Sequence, residues 1–160
     1  MVVEIPEEII KIAEEKGIDL IDLILQAISK KDPSESIRLR LEIAKRFMKE
    51  CEEYLKKGDT VQASEKAYKV AEELVKALAE KFKLKEYDKA LKDGRWYINL
   101  LVSASDKLSA ELGEWVSSGW DAGYTLHVWG FHEAKLSRDE ISSRIERIRK
   151  MLKESENILK

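Results

Sequence analysis

His127 and His132 are the only side chains in this sequence whose ordinary pKa lies near neutrality, and they stand five residues apart between Asp121 and Glu133. Imidazole beside carboxylate is the equipment of general acid/base catalysis and of nitrogen/oxygen metal ligation. Five residues along an α-helix turn the chain to leave two side chains about 140° apart, whereas ligands one turn apart share a face. The two rings are therefore expected to diverge unless Gly130 breaks the helix between them. The spacing matches no recognised ligand pattern. The expectation is two partly buried, hydrogen-bonded histidines, with no catalytic residue, metal or cofactor assigned.

The histidines sit in an unusual stretch. Residues 94 to 134 hold all four tryptophans, Trp96, Trp115, Trp120 and Trp129, with few charges. Trp120, Tyr124, His127 and Phe131 recur at steps of four, three and four, which is one face of a helix. Indole faces stack on nucleic-acid bases. The same pattern also builds cores and subunit interfaces, and helical spacing favours that packing role. Arg95 and Trp96 open the stretch, and Trp129 and His132 close it. Further on, Arg144 and Arg147 lie one turn apart and would meet phosphates. Glu140, Glu146, Glu154 and Glu156 are interspersed with them, which favours an ordinary solvated face. These residues, with Asp121, Tyr124 and His127, form the candidate set for a ligand or an interface. Cys51 falls on an apolar stripe, as a buried small hydrophobe rather than a nucleophile. No glycine-rich phosphate loop, nucleophile elbow or CxxC is present.

The elements that must hold these residues are helical. The 160 residues are 44% hydrophobic and 38% charged, with 7 Gly and 2 Pro. That length suits one domain, residues 1–160, able to fold without disulfide or metal. Its charge richness is that of thermophile proteins. Lys and Arg number 29 against 31 Asp and Glu, for a net charge of -2, which gives no global attraction for nucleic acid or acidic lipid. No apolar run reaches membrane-span length, and MVVEIPEE lacks the basic start and apolar core of a signal peptide. With a single cysteine, a cytoplasmic location is expected.

Along the chain, residues 1–5 are expected as a short strand and Pro6–Lys16 as a helix stopped at Gly17. Asp19 and Asp22 start a second helix, apolar around most of its circumference and so expected to be buried on several sides. Asp32, Pro33 and Glu35 start a long amphipathic helix that ends at Gly58. Asp59 and Gln62 start another, striped by Ala63, Ala67, Ala71, Leu74, Leu78 and Phe82. The three-residue link Lys57-Gly58-Asp59 makes these two an antiparallel hairpin, each arm roughly 24 residues and about 36 Å long. Arg95 to about Ser118 reads as a third long helix, followed by a segment punctuated by Gly119, Gly123 and Gly130. Ser137 and Glu140 cap the last helix, striped by Ile141, Ile145, Ile148 and Leu152.

The stretch from Glu53 to Glu80, with Trp120-Asp-Ala-Gly-Tyr-Thr-Leu-His-Val-Trp-Gly-Phe-His-Glu133, resembles the archaeal PaREP family, helical proteins without an assigned activity. More broadly, the long hairpin with its Gly-Asp link and alanine pattern resembles the HEPN superfamily of helical bundles, many of them dimers associated with nucleic acid or nucleotides. Ribonuclease members of HEPN carry an Arg followed after four to six residues by His. Trp120, Asp121 and Ala122 precede His127 at those positions, and Thr125, Leu126 and His127 precede His132, so the resemblance carries no ribonuclease pair here. The N-terminal order of strand, helix, helix resembles ribbon-helix-helix antitoxins, but its strand offers Glu4 and no Lys or Arg, which disfavours DNA. The expectation is an all-α, HEPN-like antiparallel bundle (32–160) with a short N-terminal two-helix arm (1–31). It would be a homodimer, joined in part through the aromatic segment 96–131. Its function would be a non-enzymatic binding or interaction module, with RNA, a nucleotide or a partner protein implied by the resemblance and no membrane role. The alternatives are an enzyme acting on nucleic acid or nucleotides through His127 or His132, or a toxin/antitoxin-like partner protein.

Overall fold

The computed structural model describes residues 1–160. It consists of α1 (Glu7–Glu15), α2 (Leu20–Lys31), α3 (Pro33–Lys56), α4 (Thr60–Lys81), α5 (Lys85–Asp93), α6 (Ile98–Leu112), α7 (Trp115–Thr125), a π-helical segment (Leu126–His132) and α8 (Arg138–Leu159). The class is all-α. The expected N-terminal strand is absent, because residues 1–6 have no neighbouring strand to pair with. No helix is long and apolar enough to cross a membrane.

The starts of four helices follow from their caps. Side chains of Asp19, Asp32 and Asp59 accept from the backbone N–H groups of Asp22, Glu35 and Gln62, and Ser137 with Glu140 closes a reciprocal capping box ahead of α8. Gly58 takes a positive φ of 78° in the turn between α3 and α4, which lets the two helices run antiparallel.

Helix α4 is the axis of the bundle, packed against α3, α6, α7, the π-helical segment and α8. Its Ala63, Ala67, Val70, Ala71, Leu74, Val75, Ala77 and Leu78 are wholly buried. Small side chains let the neighbours come close on several sides. The approach is close at α7, where a Cβ on Gly123 would lie 2.9 Å from the Cβ of Ala71. Gly119 and Gly123 thus lie inside α7 as contact surfaces and do not punctuate it. The break falls earlier, so Arg95 to Ser118 is not one helix. Gly113, at φ 130°, ends α6, and the indole N–H of Trp115 donates to the carbonyl of Leu112 across the corner at 3.1 Å.

Helix α2 is inverted relative to its composition. It buries Asp22, Leu25, Gln26 and Ser29, while Ile21, Leu23 and Ile24 are exposed. The expectation of burial on several sides fails because the bundle offers this helix charges to pair with. Arg40 Nη1 donates to Asp22 Oδ1 at 2.9 Å and to Glu73 Oε2 at 2.7 Å, and Lys76 Nζ donates to Asp22 Oδ2 at 2.7 Å. Further along, Ser29 of α2 and Ser36 of α3 each donate to Glu80 at 2.8 Å, and the Ser29 hydroxyl meets that of Tyr87.

Burial acts to raise the Asp22 carboxyl, but Lys76 and Arg40 outweigh it and hold the group below its ordinary 3.8. Burial pushes the Glu73 carboxyl up, against the pull of Lys76 and Arg40. A depressed carboxylate stabilises the fold above its unfolded pKa, and that stability is lost as pH falls through the lower native value. Asp22→Asn should destabilise the protein by about 3–5 kcal/mol in urea unfolding at pH 7, because it strips a partner from two buried cations. The wild type should lose stability as pH falls below 3.8, and the variant should lack the Asp22 share of that loss.

Candidate functional site

After α7 the backbone changes its hydrogen-bond period. The N–H of Glu133 reaches the carbonyl of Val128, five residues back, at 2.9 Å. In a π-helix residues five apart stand above one another, as residues four apart do in an α-helix. The expected divergence of His127 and His132 is therefore overturned. Their ring centroids are 4.5 Å apart at 81°, edge to face. Gly130 does not break the helix, and its bare Cα lies in the wider turn against Ser64 of α4.

The expected aromatic face is present and is organised around Tyr68 of α4. Tyr68 lies 5.9 Å from Trp120 and 6.4 Å from Tyr124, and it stacks on His127 at 4.3 Å and 27°. Phe131 lies parallel to His127 at 6.5 Å on the same run. Burial, reinforced by Glu72, pushes the Tyr68 phenol far above its ordinary value, and its hydroxyl donates to Glu72 at 3.1 Å. It is a fixed neutral wall for the imidazole.

The carboxylate beside the histidines is neither Asp121 nor Glu133, both of which are exposed and outside the cluster. It is Glu65, whose Oε1 meets His127 Nδ1 at 2.8 Å. Glu65 is distant in sequence, so no local spacing announces it. The available signal was its place one turn before Tyr68 on the alanine-striped helix. Glu65, His127 and His132 each direct one ligand-capable atom into a common space, all within 4.8 Å of one another. Glu65 and His127 are partly buried and His132 is exposed.

The other candidate residues are dispersed. Trp96 is a core residue, whereas Trp129 is 47% exposed and makes no ring contact with the ladder. Arg95 covers the Tyr97 ring at 4.4 Å and lies against Gly17, at the turn between α1 and α2. Arg144 donates to the carbonyl of Glu140 at 3.0 Å. Arg147 donates to the hydroxyl and carbonyl of Ser118, both at 2.9 Å, tying α8 to α7. Both guanidinium groups thus meet acceptors within the chain. Cys51 is buried, and burial pushes its thiol up to about 12, which leaves it inert as a nucleophile near neutrality.

Residues 39–152, from within α3 into α8, match the Archaeal PaREP1/PaREP8 family. The chain belongs to that family. A crystal structure of a protein from Sulfolobus solfataricus is similar to this PaREP1/PaREP8 member at a TM-score of 0.67 and 41% identity, over 73% of this chain and 96% of that one. No curated protein matches the chain. The matched segment of this PaREP1/PaREP8 protein contains Glu65, Tyr68, His127 and His132, whereas α1 and α2 precede it.

The contact between Gly130 and Ser64 sets how closely the π-helical turn approaches α4 in this PaREP1/PaREP8 chain. A Cβ on Gly130 would lie 2.6 Å from Ser64 Oγ and 2.9 Å from Ser64 Cβ, and that hydroxyl is held by a 2.7 Å bond to the Thr60 carbonyl. Gly130→Ala should therefore destabilise the protein by about 1–3 kcal/mol in urea unfolding. Adding Ser64→Gly should recover part of the loss, visible as non-additivity in a double-mutant cycle.

Proposed function

We propose that this PaREP1/PaREP8 protein is a non-enzymatic interaction module that assembles with a second copy of itself through the outward face of its N-terminal arm. The observation that carries the reading is the inversion of α2. A helix whose polar residues face the bundle leaves its isoleucines without cover, and exposed apolar patches on folded proteins mark interaction sites. Ile21 and Ile24 of α2 are 52% and 50% exposed, and α1 adds Ile9 and Ile12 at 52% and 51%. Beside Ile21 lies a groove of about 360 Å³ in which Ile43 and Phe47 stand among charged side chains that include Arg46, Glu50, Lys66 and Lys69.

The charges of the arm point to a second copy. Glu7, Glu8, Glu14, Glu15 and Asp19 alternate with Lys11, Lys16, Lys30 and Lys31. A mixed set of this kind can pair with its own copy across a two-fold axis, whereas a nucleic-acid surface would be basic. The engagement of Arg147 with Ser118, and the use of Trp96 and Trp120 inside the core, weigh against an RNA platform on the aromatic segment.

Sedimentation of the purified protein should give twice the chain mass. Ile21→Glu with Ile24→Glu should return it to the single-chain mass with unchanged helical circular dichroism. A wild type that sediments as a monomer, or a dimer indifferent to the two substitutions, would overturn the reading. Nucleic-acid absorbance travelling with the wild-type protein would replace it with the RNA or nucleotide reading.

A further inference from the structure

We propose that Glu65, His127 and His132 form a binding site for one divalent transition-metal ion of the zinc class, assembled by the π-helical turn. The site lies beyond the assembly reading and uses no residue of the arm.

The first argument is the donor set. Two imidazole nitrogens and one carboxylate oxygen suit borderline ions such as zinc, cobalt and nickel, whereas magnesium and calcium prefer oxygen alone. Three protein ligands with a fourth position open is an arrangement that zinc adopts. An ion about 2.0–2.2 Å from each donor in tetrahedral geometry needs donors about 3.3 Å apart. The ligand atoms here lie within 4.8 Å of one another, with Glu65 and His127 at 2.8 Å, so small shifts bring all three to that spacing.

The second argument is which ligands are fixed and which one moves. Glu65 stands on α4, the most enclosed helix of the bundle, and its side chain is 14% exposed. His127 is held between the faces of Tyr68 and Phe131, and its Nδ1 is bonded to Glu65 at 2.8 Å. These two ligands stand side by side before an ion arrives and part by about half an ångström to admit it. His132 is exposed at the last position of the π-helical segment, and rotation of its ring supplies the closure. The ion enters between Glu65 Oε1 and His127 Nδ1, and the neutral imidazole that ligates through Nδ1 carries its N–H on Nε2.

The third argument is the backbone. A π-helical turn is rare, is less regular than the α-helix it interrupts, and is found frequently at functional sites. Here its geometric effect is to bring His132 over His127, which an α-helix would hold about 140° apart. Packing of Gly130 on Ser64 keeps that turn against the helix bearing Glu65.

The test is titration of the chelator-stripped full chain with zinc chloride by calorimetry, with cobalt chloride in parallel for its visible absorption bands. One zinc ion should bind per chain, and cobalt should develop the bands of a nitrogen/oxygen site. His132→Ala, an exposed substitution that leaves the metal-free thermal unfolding unchanged, should weaken zinc at least tenfold and remove the cobalt bands. Glu65→Gln should do the same, and if that variant fails to fold the His132 result decides alone. Equal zinc affinity in wild type and His132→Ala would overturn the proposal, as would no zinc uptake, one ion per two chains, or magnesium binding as tightly as zinc. Failure of the arm substitutions to change the sedimenting mass leaves this titration unaffected, so the two readings fail separately.

Discussion

Two cations and two anions, Arg40 and Lys76 with Asp22 and Glu73, are sealed together where α2 meets the bundle, and the placement of the arm follows from them. Any one of these charges would be expensive to bury alone, and the group is tolerable only because its members neutralise and hydrogen-bond one another. Because Asp22 is the sole contribution of α2 to the quartet, the helix must present that side to α3 and α4. The isoleucines on its other side then face outward. Hydrophobic transfer alone would orient α2 the opposite way, and the paired charges decide the matter.

A second constraint runs through α4. A helix covered on so many sides can be approached closely only if its own side chains are small and its neighbours supply gaps. Alanines on α4 and glycines on α7 and in the π-helical segment meet both conditions. Tyr68 is the large exception on the α7 side of α4, and the aromatic ladder is arranged around it. The ladder therefore serves the core through Trp120 and the polar cluster through His127. That explains why the aromatic segment carries so few charges.

Much of this was legible in the sequence. The caps at Asp19, Asp32, Asp59 and Ser137, the hairpin at Gly58, the central alanine helix and the single face formed by Trp120, Tyr124, His127 and Phe131 all rest on local periodicity, and local periodicity survives folding. What escaped depended on partners far along the chain. The inversion of α2 needs Arg40 and Lys76, which no window around Asp22 contains. The corner at Gly113 was masked because apolar spacing continued across it into α7. The charged α5 gave too weak a stripe to be separated from its surroundings. Glu65 was silent for the same reason as Arg40. The meeting of the histidines was hidden because a shift from α to π changes the arithmetic of faces while leaving composition untouched.

That shift also has a consequence in the currency of insertions and deletions. A π-helical turn is what a helix becomes when it accommodates one residue beyond the α repeat without unwinding. Loss of a single residue between His127 and His132 would restore the regular repeat and leave the two histidines four apart, still on one face of an α-helix. Gain of a further residue there, beyond the one the π-helical turn absorbs, would instead rotate His132 by about 100° away from Glu65. In descendants of this sequence, an insertion between His127 and His132 would thus change the polar cluster as surely as replacing a histidine, whereas a one-residue deletion would be tolerated by it.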